Sequence, residues 1–429
     1  MTHRNINNCR ICNEPLTTTF ADLGTQPICE TYLTAEEINQ KELFYPLHVY
    51  LCKNCLLVQL KETVPPEDLF KKYAYFSSSS KGWLNHINAY AELIIKKMNL
   101  NSESKVLEIG SNDGYLLKFF SEKNIPVLGI DPAENVAKEA ISSGIPTLIS
   151  FFDEEKSKKV LASYGKADLI IGNNILAQVP DLNDFIRGLK NILHPSGIMT
   201  FEFHHLLNLI NKNQFDTICH ERFSYLSFFV VEKVLLSNNL TVFDLEEFST
   251  HGGSLRIYVR HTSDRSKPVT SRVEDLRIKE ISNGLKKIET YISFEENVKE
   301  TKRNILSLFI KLKQKKKLIA GYGAHAEAHT LLNYCGVNSD FIDYTVDRNI
   351  DKQGKFLAGV HIPIYHPEKI IKMKPEYVVI LPWNIKKEIM EQMKDIGSWD
   401  GKFIVLNPEV KLYSATGVEF QMNNIILES

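Results

Sequence analysis

The sequence has almost no net charge: 51 Lys and Arg stand against 52 Asp and Glu, a formal balance of −1 over 429 residues. That excludes the broad positive field with which a nucleic-acid binder gathers phosphates. The densest basic run, Lys311-Leu-Lys-Gln-Lys-Lys-Lys317, leads straight into an apolar run and reads as the solvated end of a helix. Long apolar stretches are also missing, and none reaches the length that spans a bilayer. Met1-Thr-His-Arg-Asn5 contains no apolar secretory core. The expectation is a cytoplasmic protein with no membrane or nucleic-acid partner, its seven cysteines kept reduced. A composition of 43% hydrophobic and 24% charged residues suits an ordinary globular protein, and the length calls for two or three domains.

The cysteines are few but paired. Cys9-Arg-Ile-Cys12 and Cys52-Lys-Asn-Cys55 form two CxxC knuckles, the usual tetrahedral zinc set. The connector is longer than in compact zinc ribbons. A redox pair or a metal-free vestige are the alternatives, and a reducing compartment weakens the disulfide reading. Cys29 lies between the knuckles and reads as a buried small residue, not a fifth ligand.

Lys105-Val-Leu-Glu-Ile-Gly-Ser-Asn-Asp-Gly114 is a strand running into a Gly-rich turn, and Tyr115-Leu-Leu-Lys-Phe-Phe120 opens a helix. Gly110 and Gly114 allow a ligand to lie against the turn and the helix N-terminus, with Asn112 between them. A second strand, Pro126-Val-Leu-Gly-Ile-Asp-Pro132, ends in Asp131, an acid about 20 residues on that suits ribose hydroxyls. The turn lacks the GxGxxG of a dinucleotide site. Glu108, a carboxylate at the end of the first strand, suits a ligand that brings positive charge, such as S-adenosylmethionine. The bland alternative is a ligand-free strand-to-helix turn.

Strands and helices then alternate as in a doubly wound sheet, with helices at 133–142, 154–163 and 182–193 and strands at 146–149, 167–172 and 198–203. Asn173, Asn174, Gln178, His204 and His205 stand at the strand carboxyl ends, where such sheets bind ligands. Before the sheet, Tyr73-Ala-Tyr75-Phe-Ser77-Ser-Ser-Ser80 precedes a helical pattern at 86–98. Its serines read equally as a helix cap or as substrate contacts, and its phenols as functional. In Phe215–Tyr225 the residues Cys219, His220, Glu221 and Arg222 crowd together without periodicity, as in a site-forming loop. His251 and Ser254 flank Gly252 and Gly253, within reach of a ligand or in a plain hairpin turn. Residues 264–315 read as one long connecting helix. Beyond it, Gly321-Tyr322-Gly-Ala-His325-Ala326 with Asp347 forms a second, dinucleotide-like fingerprint, followed by further parallel strands.

In this order, the chain resembles the three-domain sugar C-methyltransferases that act on nucleotide-linked 4-keto-deoxysugars. The resemblance covers nearly all of it. It rests on the paired knuckles, Tyr73-x-Tyr-Phe-Ser-Ser, Glu108-Ile-Gly-Ser-Asn-Asp-Gly114, Asn173-Asn-Ile-Leu-Ala-x-Val-Pro-Asp181, Thr250-His-Gly-Gly-Ser-Leu-Arg256, Gly321-Tyr-Gly-Ala, Tyr344-Thr-Val-Asp-Arg-Asn349 and Leu381-Pro-Trp-Asn384. It implies an α/β chain with a small zinc-binding N-terminal domain (1–72), a doubly wound class I methyltransferase domain (73–263) and a second Rossmann-like domain (264–429). The middle domain would bind S-adenosylmethionine. The last would help hold the sugar nucleotide, dTDP-linked by expectation, without using NAD, and the protein is expected to be a monomer. Substrate contacts would come from Tyr75, Ser77, His204, His251, Ser254, Tyr322, His325, Glu327, Arg348 and Trp383.

In that family a base removes the proton at C3, next to the 4-ketone, and the enolate carbon takes the methyl group. The family pattern at the catalytic loop is Tyr-His-Glu-His, the last His being the base. This chain departs at those very positions. Cys219 replaces the Tyr, Arg222 the basic His, and Gln178 a His before Val-Pro-Asp. Arg cannot act as a base at accessible pH. Near Gly323, His325-Ala-Glu327-Ala-His329 stands where Pro-Ala-Lys-Gly-Asn is usual. Either the base has moved, with His220, Glu221, His204 and Tyr73 in view, or the reaction differs, as in an NAD-dependent sugar oxidoreductase, or the protein binds its ligands without turnover.

Overall fold

The apolar run Val106–Ile109 (β1) is buried on both faces, as the pattern of a central parallel strand requires. In the computed structural model, which describes residues 7–61, 64–70 and 76–420, it is an inner strand of a seven-stranded sheet. The other strands are β2 (Val127–Asp131), β3 (Thr147–Ile149), β4 (Ala167–Asn173), β5 (Leu193–His204), β6 (Leu240–Phe248) and β7 (Ser254–His261). Their order is β6-β7-β5-β4-β1-β2-β3. β1 to β5 pair in parallel, whereas β7 runs antiparallel to both β5 and β6. The sheet belongs to a compact unit formed by Met1–Thr18, Leu51–Leu207 and Glu221–Ile288.

Helix α1 (Lys81–Met98) starts where Ser80 accepts the Trp83 N–H over 3.3 Å, so this serine is a cap. Trp83, Ile87, Tyr90, Ala91 and Ile94 recur at helical spacing and pack on Val106, Leu169, Ile171, Ile198 and Tyr258 of the sheet. The expected helices follow at α2 (Leu117–Ser121), α3 (Glu134–Ser142), α4 (Glu154–Ser163) and α5 (Leu182–Ile192). Asp153 and Asp181 cap the last two by accepting the N–H groups of Lys156 and Asp184. After α6 (Phe228–Ser237) and the β6–β7 hairpin, the expected single connecting helix is two, α7 (Ser271–Ser282) and α8 (Ile288–Gln314). They part around Gly284, whose φ of 81° ends a right-handed helix.

The second compact unit is formed by Thr19–Tyr50, Asn208–His220 and Glu289–Ser429. Its sheet holds β8 (Ile319–Tyr322), β9 (Tyr344–Val346), β10 (Ile364–Tyr365), β11 (Tyr377–Ile380), β12 (Lys402–Val405), β13 (Lys411–Tyr413) and β14 (Glu419–Phe420), in the order β10-β9-β8-β11-β12-β13-β14. β8 to β12 pair in parallel and the last two strands pair antiparallel. The long connector between the two CxxC pairs is built into this unit. Phe20 stacks on Phe294 of α8 at 4.6 Å, and Tyr32–Leu33 pairs antiparallel with Phe356–Leu357. Among the described residues no helix is long and apolar enough to cross a membrane.

Candidate functional site

The carboxyl end of β1 carries a cluster of unmet polar groups. Glu108 is fully buried, and the Tyr115 side chain is the one hydrogen-bonding group among the described residues that bears on its carboxylate. Burial drives its pKa well above the carboxylate range, Asp131 and Asp113 add to the rise, and only the Tyr115 side chain opposes it. Ser111 Oγ, Asp113 Oδ1 and Asn173 Nδ2 are buried without partners. Gly110 and Gly114 take φ of 73° and 76°, and Asn112 takes 48°, so the chain turns back sharply at the carboxyl end of β1. A Cβ on Gly114 would come within 3.1 Å of Ile145 and 3.2 Å of Ala140, so α3 and the loop after it close on the turn only because glycine is there. Asp131 accepts the N–H groups of Asn112 and Ala133 at 2.8 and 2.9 Å. Burial outweighs those bonds and raises its pKa to about 6. Asn174 is also left-handed, φ 58°, and its N–H donates to the Glu202 carbonyl at 2.7 Å.

The serine run is tied to this turn. Ser77 N–H donates to Asn112 Oδ1 at 2.9 Å and Ser78 N–H to Asp113 Oδ2 at 3.2 Å, which sets the start of α1 over the turn. Tyr73 and Tyr75 lie outside the described residues. Gln178 closes the single turn Leu176–Gln178, half-buried.

At the end of β5, Arg222 Nη1 lies 3.1 Å from His204 Nδ1. A guanidinium only donates, so Nδ1 accepts and the ring proton sits on Nε2. His205 pairs with Glu280 of α7 at 2.7 Å, and Glu280 also accepts the first N–H groups of α6 from Phe228 and Phe229; this His is structural. Two residues before His204, Glu202 is buried in a network that sequence reading did not reach. It receives Ser254 Oγ at 2.9 Å, Thr250 Oγ1 at 3.2 Å and Arg256 Nη2 at 2.6 Å, and His86 Nε2 of α1 lies 2.8 Å away. Ser254, read as a substrate contact, thus has its hydroxyl on Glu202. The side chain of His251 lies outside what is described.

The division between the units falls in the Phe215–Tyr225 loop, between His220 and Glu221. In the second unit Cys219 and His220 are buried. Burial lowers the His220 pKa against the pull of the Tyr45 and Pro46 carbonyls, with Nε2 3.3 Å from Tyr45 O. Asp216, also fully buried, accepts Trp383 Nε1 at 2.7 Å and Asn407 Nδ2 at 2.5 Å. Burial, then the Glu327 charge, lifts its pKa to about 7. His325 Nδ1 lies 2.8 Å from Glu327 Oε2; burial works against its protonation, but Glu327 prevails and its pKa rises. Tyr322 Oη donates to Gln392 at 3.0 Å, and Arg348 is an exposed partner of Glu388 at 3.3 Å.

Cys9, Cys12, Cys52 and Cys55 bring their four sulfurs within 4.8 Å of one another. Each knuckle is closed by a left-handed residue just after its second cysteine, Asn13 and Leu56, both at φ 62°. Hydrogen bonds from Cys52 and Cys55 lower the Cys9 pKa, while hydrogen bonding to Cys52 and Cys9 raises that of Cys55. Four thiols in such contact, three of them buried, cannot all ionise alone, and a divalent cation removes that conflict. Gln59 Nε2 donates to Cys9 Sγ at 3.1 Å and its Oε1 accepts the Arg10 N–H at 2.9 Å, an outer shell around the sulfurs.

Three family models match the chain: a zinc binding domain over residues 9–70, a methyltransferase domain over 83–244 and a C-methyltransferase C-terminal domain over 249–408. The C-methyltransferase NovU of Streptomyces niveus is 31% identical over 412 residues, 96% of this chain and 98% of that protein. The chain belongs to the C-methyltransferase family. Among solved structures, the magnesium protoporphyrin IX methyltransferase of Synechocystis PCC 6803 with bound SAM is 16% identical. It covers 42% of this chain and 79% of its own, with a TM-score of 0.32. An S-adenosylmethionine-dependent methyltransferase of Clostridium acetobutylicum ATCC 824 is also 16% identical, covering 42% and 92%, with a TM-score of 0.34.

This C-methyltransferase uses S-adenosylmethionine and carries zinc. The residues present fit both groups. A buried carboxylate short of donors, with Ser111 Oγ, Asp113 Oδ1 and Asn173 Nδ2 unpartnered near it, suits a ligand rich in N–H, O–H and positive charge. Four clustered thiols suit Zn²⁺. His86, Glu202, Arg256, Asp216 and Asn407 are what the sequence reading missed. The available signals were a lone acid in the apolar strand 198–203 and a His on the apolar face of α1.

Proposed function

We propose that this C-methyltransferase methylates C3 of a nucleotide-linked 4-keto-deoxysugar through an enolate. The carrying observation is the match to a C-methyltransferase along essentially the whole chain. Carbon methylation needs a carbon nucleophile, and a ketone acidifies the neighbouring C–H so that a side chain of ordinary basicity can remove the proton. S-adenosylmethionine supplies the methyl group. Glu108, Gly110, Asn112, Gly114, Asp131, Asn173 and Asn174 hold it at the carboxyl edge of the first sheet. Tyr75, Ser77, His204, His251, Tyr322, His325, Glu327 and Trp383 serve the sugar nucleotide, which we take to be dTDP-linked. Arg222, unable to take a proton, suits the negative charge that develops on the enolate oxygen.

The test is a panel of keto sugar nucleotides incubated with S-adenosylmethionine. A product heavier by one methylene, with the new methyl carbon-bound in its NMR spectrum, is the expected result. Transfer to oxygen or nitrogen, or no transfer to any member of the panel, would overturn the reading.

A further inference from the structure

The reading above needs a base, and the usual position holds Arg222. His204 accepts from that guanidinium, and His220 is buried against backbone carbonyls. We infer that His86 of α1 takes the C3 proton on its Nδ1, with Glu202 as the positioning carboxylate behind it. This rests on the proposed enolate chemistry and names the group that performs it.

Glu202 lies two residues before the end of β5, in register with Asn173 at the end of β4 and with Arg256 of β7, and it accepts the hydroxyl of Ser254 at the start of β7, so its carboxylate stands near the carboxyl edge of the parallel strands. Burial works against its ionisation, but the hydrogen bond to His86 and the charges of Arg256 and His86 outweigh that and bring its pKa down to about 2. His86 Nε2 lies 2.8 and 3.1 Å from the two oxygens of Glu202. A lone pair facing an ionised carboxylate at that distance would be repelled, so Nε2 carries a proton and donates it. Arg256 Nη2, 2.9 Å from the same nitrogen, directs its own hydrogen to Glu202 at 2.6 Å. The basic lone pair is therefore on Nδ1, to which no described residue hydrogen bonds. The ring is 15% exposed, which leaves a substrate access to it.

The ring is also fixed in orientation. It stacks on Trp83 at 5.3 Å and meets Phe248 edge-on at 4.9 Å, while Arg256 lies over the Tyr90 and Phe248 rings at 4.3 and 4.6 Å. Trp83 in turn lies 6.4 Å from Tyr115, just after Gly114, which puts His86 one ring away from the cofactor turn. A histidine with one nitrogen on a buried carboxylate and the other available is the constellation that makes imidazole a directed base. In the step, the C3–H bond breaks and its proton passes to Nδ1. The electron pair stays with the sugar as the enolate, which is the nucleophile for methylation. Glu202 balances the imidazolium until solvent removes the proton.

The test follows deuterium wash-in at C3 of a keto sugar nucleotide in deuterated water with S-adenosylhomocysteine present, so the proton step is read without methyl transfer. His86→Gln should exchange about 100-fold more slowly than the parent, with S-adenosylmethionine affinity by calorimetry within about threefold of the parent's. His86→Ala should recover at least about tenfold with added imidazole, which can enter the vacated space and take the proton in its place. Glu202→Gln should lower kcat with KM unchanged and no imidazole rescue, and Glu202→Asp should recover part of it. A folded His86→Gln that exchanges at the parent's rate overturns the inference and leaves the proposed function standing. Slower exchange with equally weakened cofactor binding and no rescue makes His86 structural and also overturns it. A parent that exchanges no member of the panel removes the proposed function itself.

Discussion

Trp383 donates its indole N–H to Asp216 across 2.7 Å, so a residue of the C-terminal sheet unit grips the loop that leads to Cys219 and His220. Asn407 grips the other oxygen of Asp216, and Thr330 Oγ1 donates to the Ile218 carbonyl at 2.7 Å. Trp383→Phe keeps the ring and removes the donor. It should cost about 1–3 kcal/mol, because a buried acceptor loses a partner, and a denaturant titration of the full chain reads the loss.

Asp216 titrates at about 7 in the folded chain against 3.8 for an ordinary Asp, so the unfolded chain releases its proton first. Its contribution therefore becomes more destabilising as pH rises from about 4 to about 7 and is constant above that. His325, whose pKa is also raised, contributes stability that is complete below its unfolded value and is lost as pH rises through the folded one. Both act in one direction. The melting temperature should fall between pH 5.5 and pH 8, and the fall should shrink in Asp216→Asn by roughly 2 °C or more.

Glu108 also has a raised pKa, so in the ligand-free protein its burial destabilises more as pH rises through the folded value. Glu108→Gln should make the ligand-free chain melt higher at pH 8, with little change at pH 4. The same change should weaken S-adenosylmethionine binding by roughly 10-fold or more, since the carboxylate acceptors are gone. Calorimetry and thermal scans on one preparation check the two opposite effects together.

Metal analysis should return about one zinc per chain, and Cys52→Ser should abolish it. Gln59→Leu is the subtler change. It removes the N–H on Cys9 Sγ and the acceptor for Arg10, and should weaken zinc binding by about 10–100-fold in a chelator competition while leaving the four ligands in place.

Arg222→His restores the residue type usual at that position in the resembling family. With His86 as the base it should change the C3 exchange rate by less than about fivefold, whereas a chain without any base would gain about 100-fold or more. The two outcomes are far enough apart for one exchange time course to separate them.

The alternating strands and helices of both sheets were readable because each segment carries its own period, its caps at Ser80, Asp153 and Asp181, and its glycine turns at Gly110 and Gly114. The cysteine set was readable because ligand type and spacing travel together. His86, Glu202 and Arg256 were not, since they come from a helix and two strands far apart in the chain, and each looks alone like an ordinary polar residue in an apolar run. The single expected helix at 264–315 failed for a related reason. Glu280 and Gly284 look like surface residues, but the first is turned inward to His205 and the second takes the left-handed conformation that parts the helices. The serines at 77–80 held two readings open because a cap and a ligand contact ask for the same hydroxyls; the structure puts Ser80 on the cap and the Ser77 and Ser78 backbone on Asn112 and Asp113 of the glycine turn.

The connector between the cysteine pairs imposes an order on the birth of the protein. Phe20 has to wait for Phe294, which leaves the ribosome about 270 residues later, roughly 15 to 55 seconds at ordinary translation speeds. Both cysteine pairs are complete by residue 55. A zinc ion captured then ties the two ends of the waiting segment, so that it awaits its partners as a tethered loop, with fewer ways to stray.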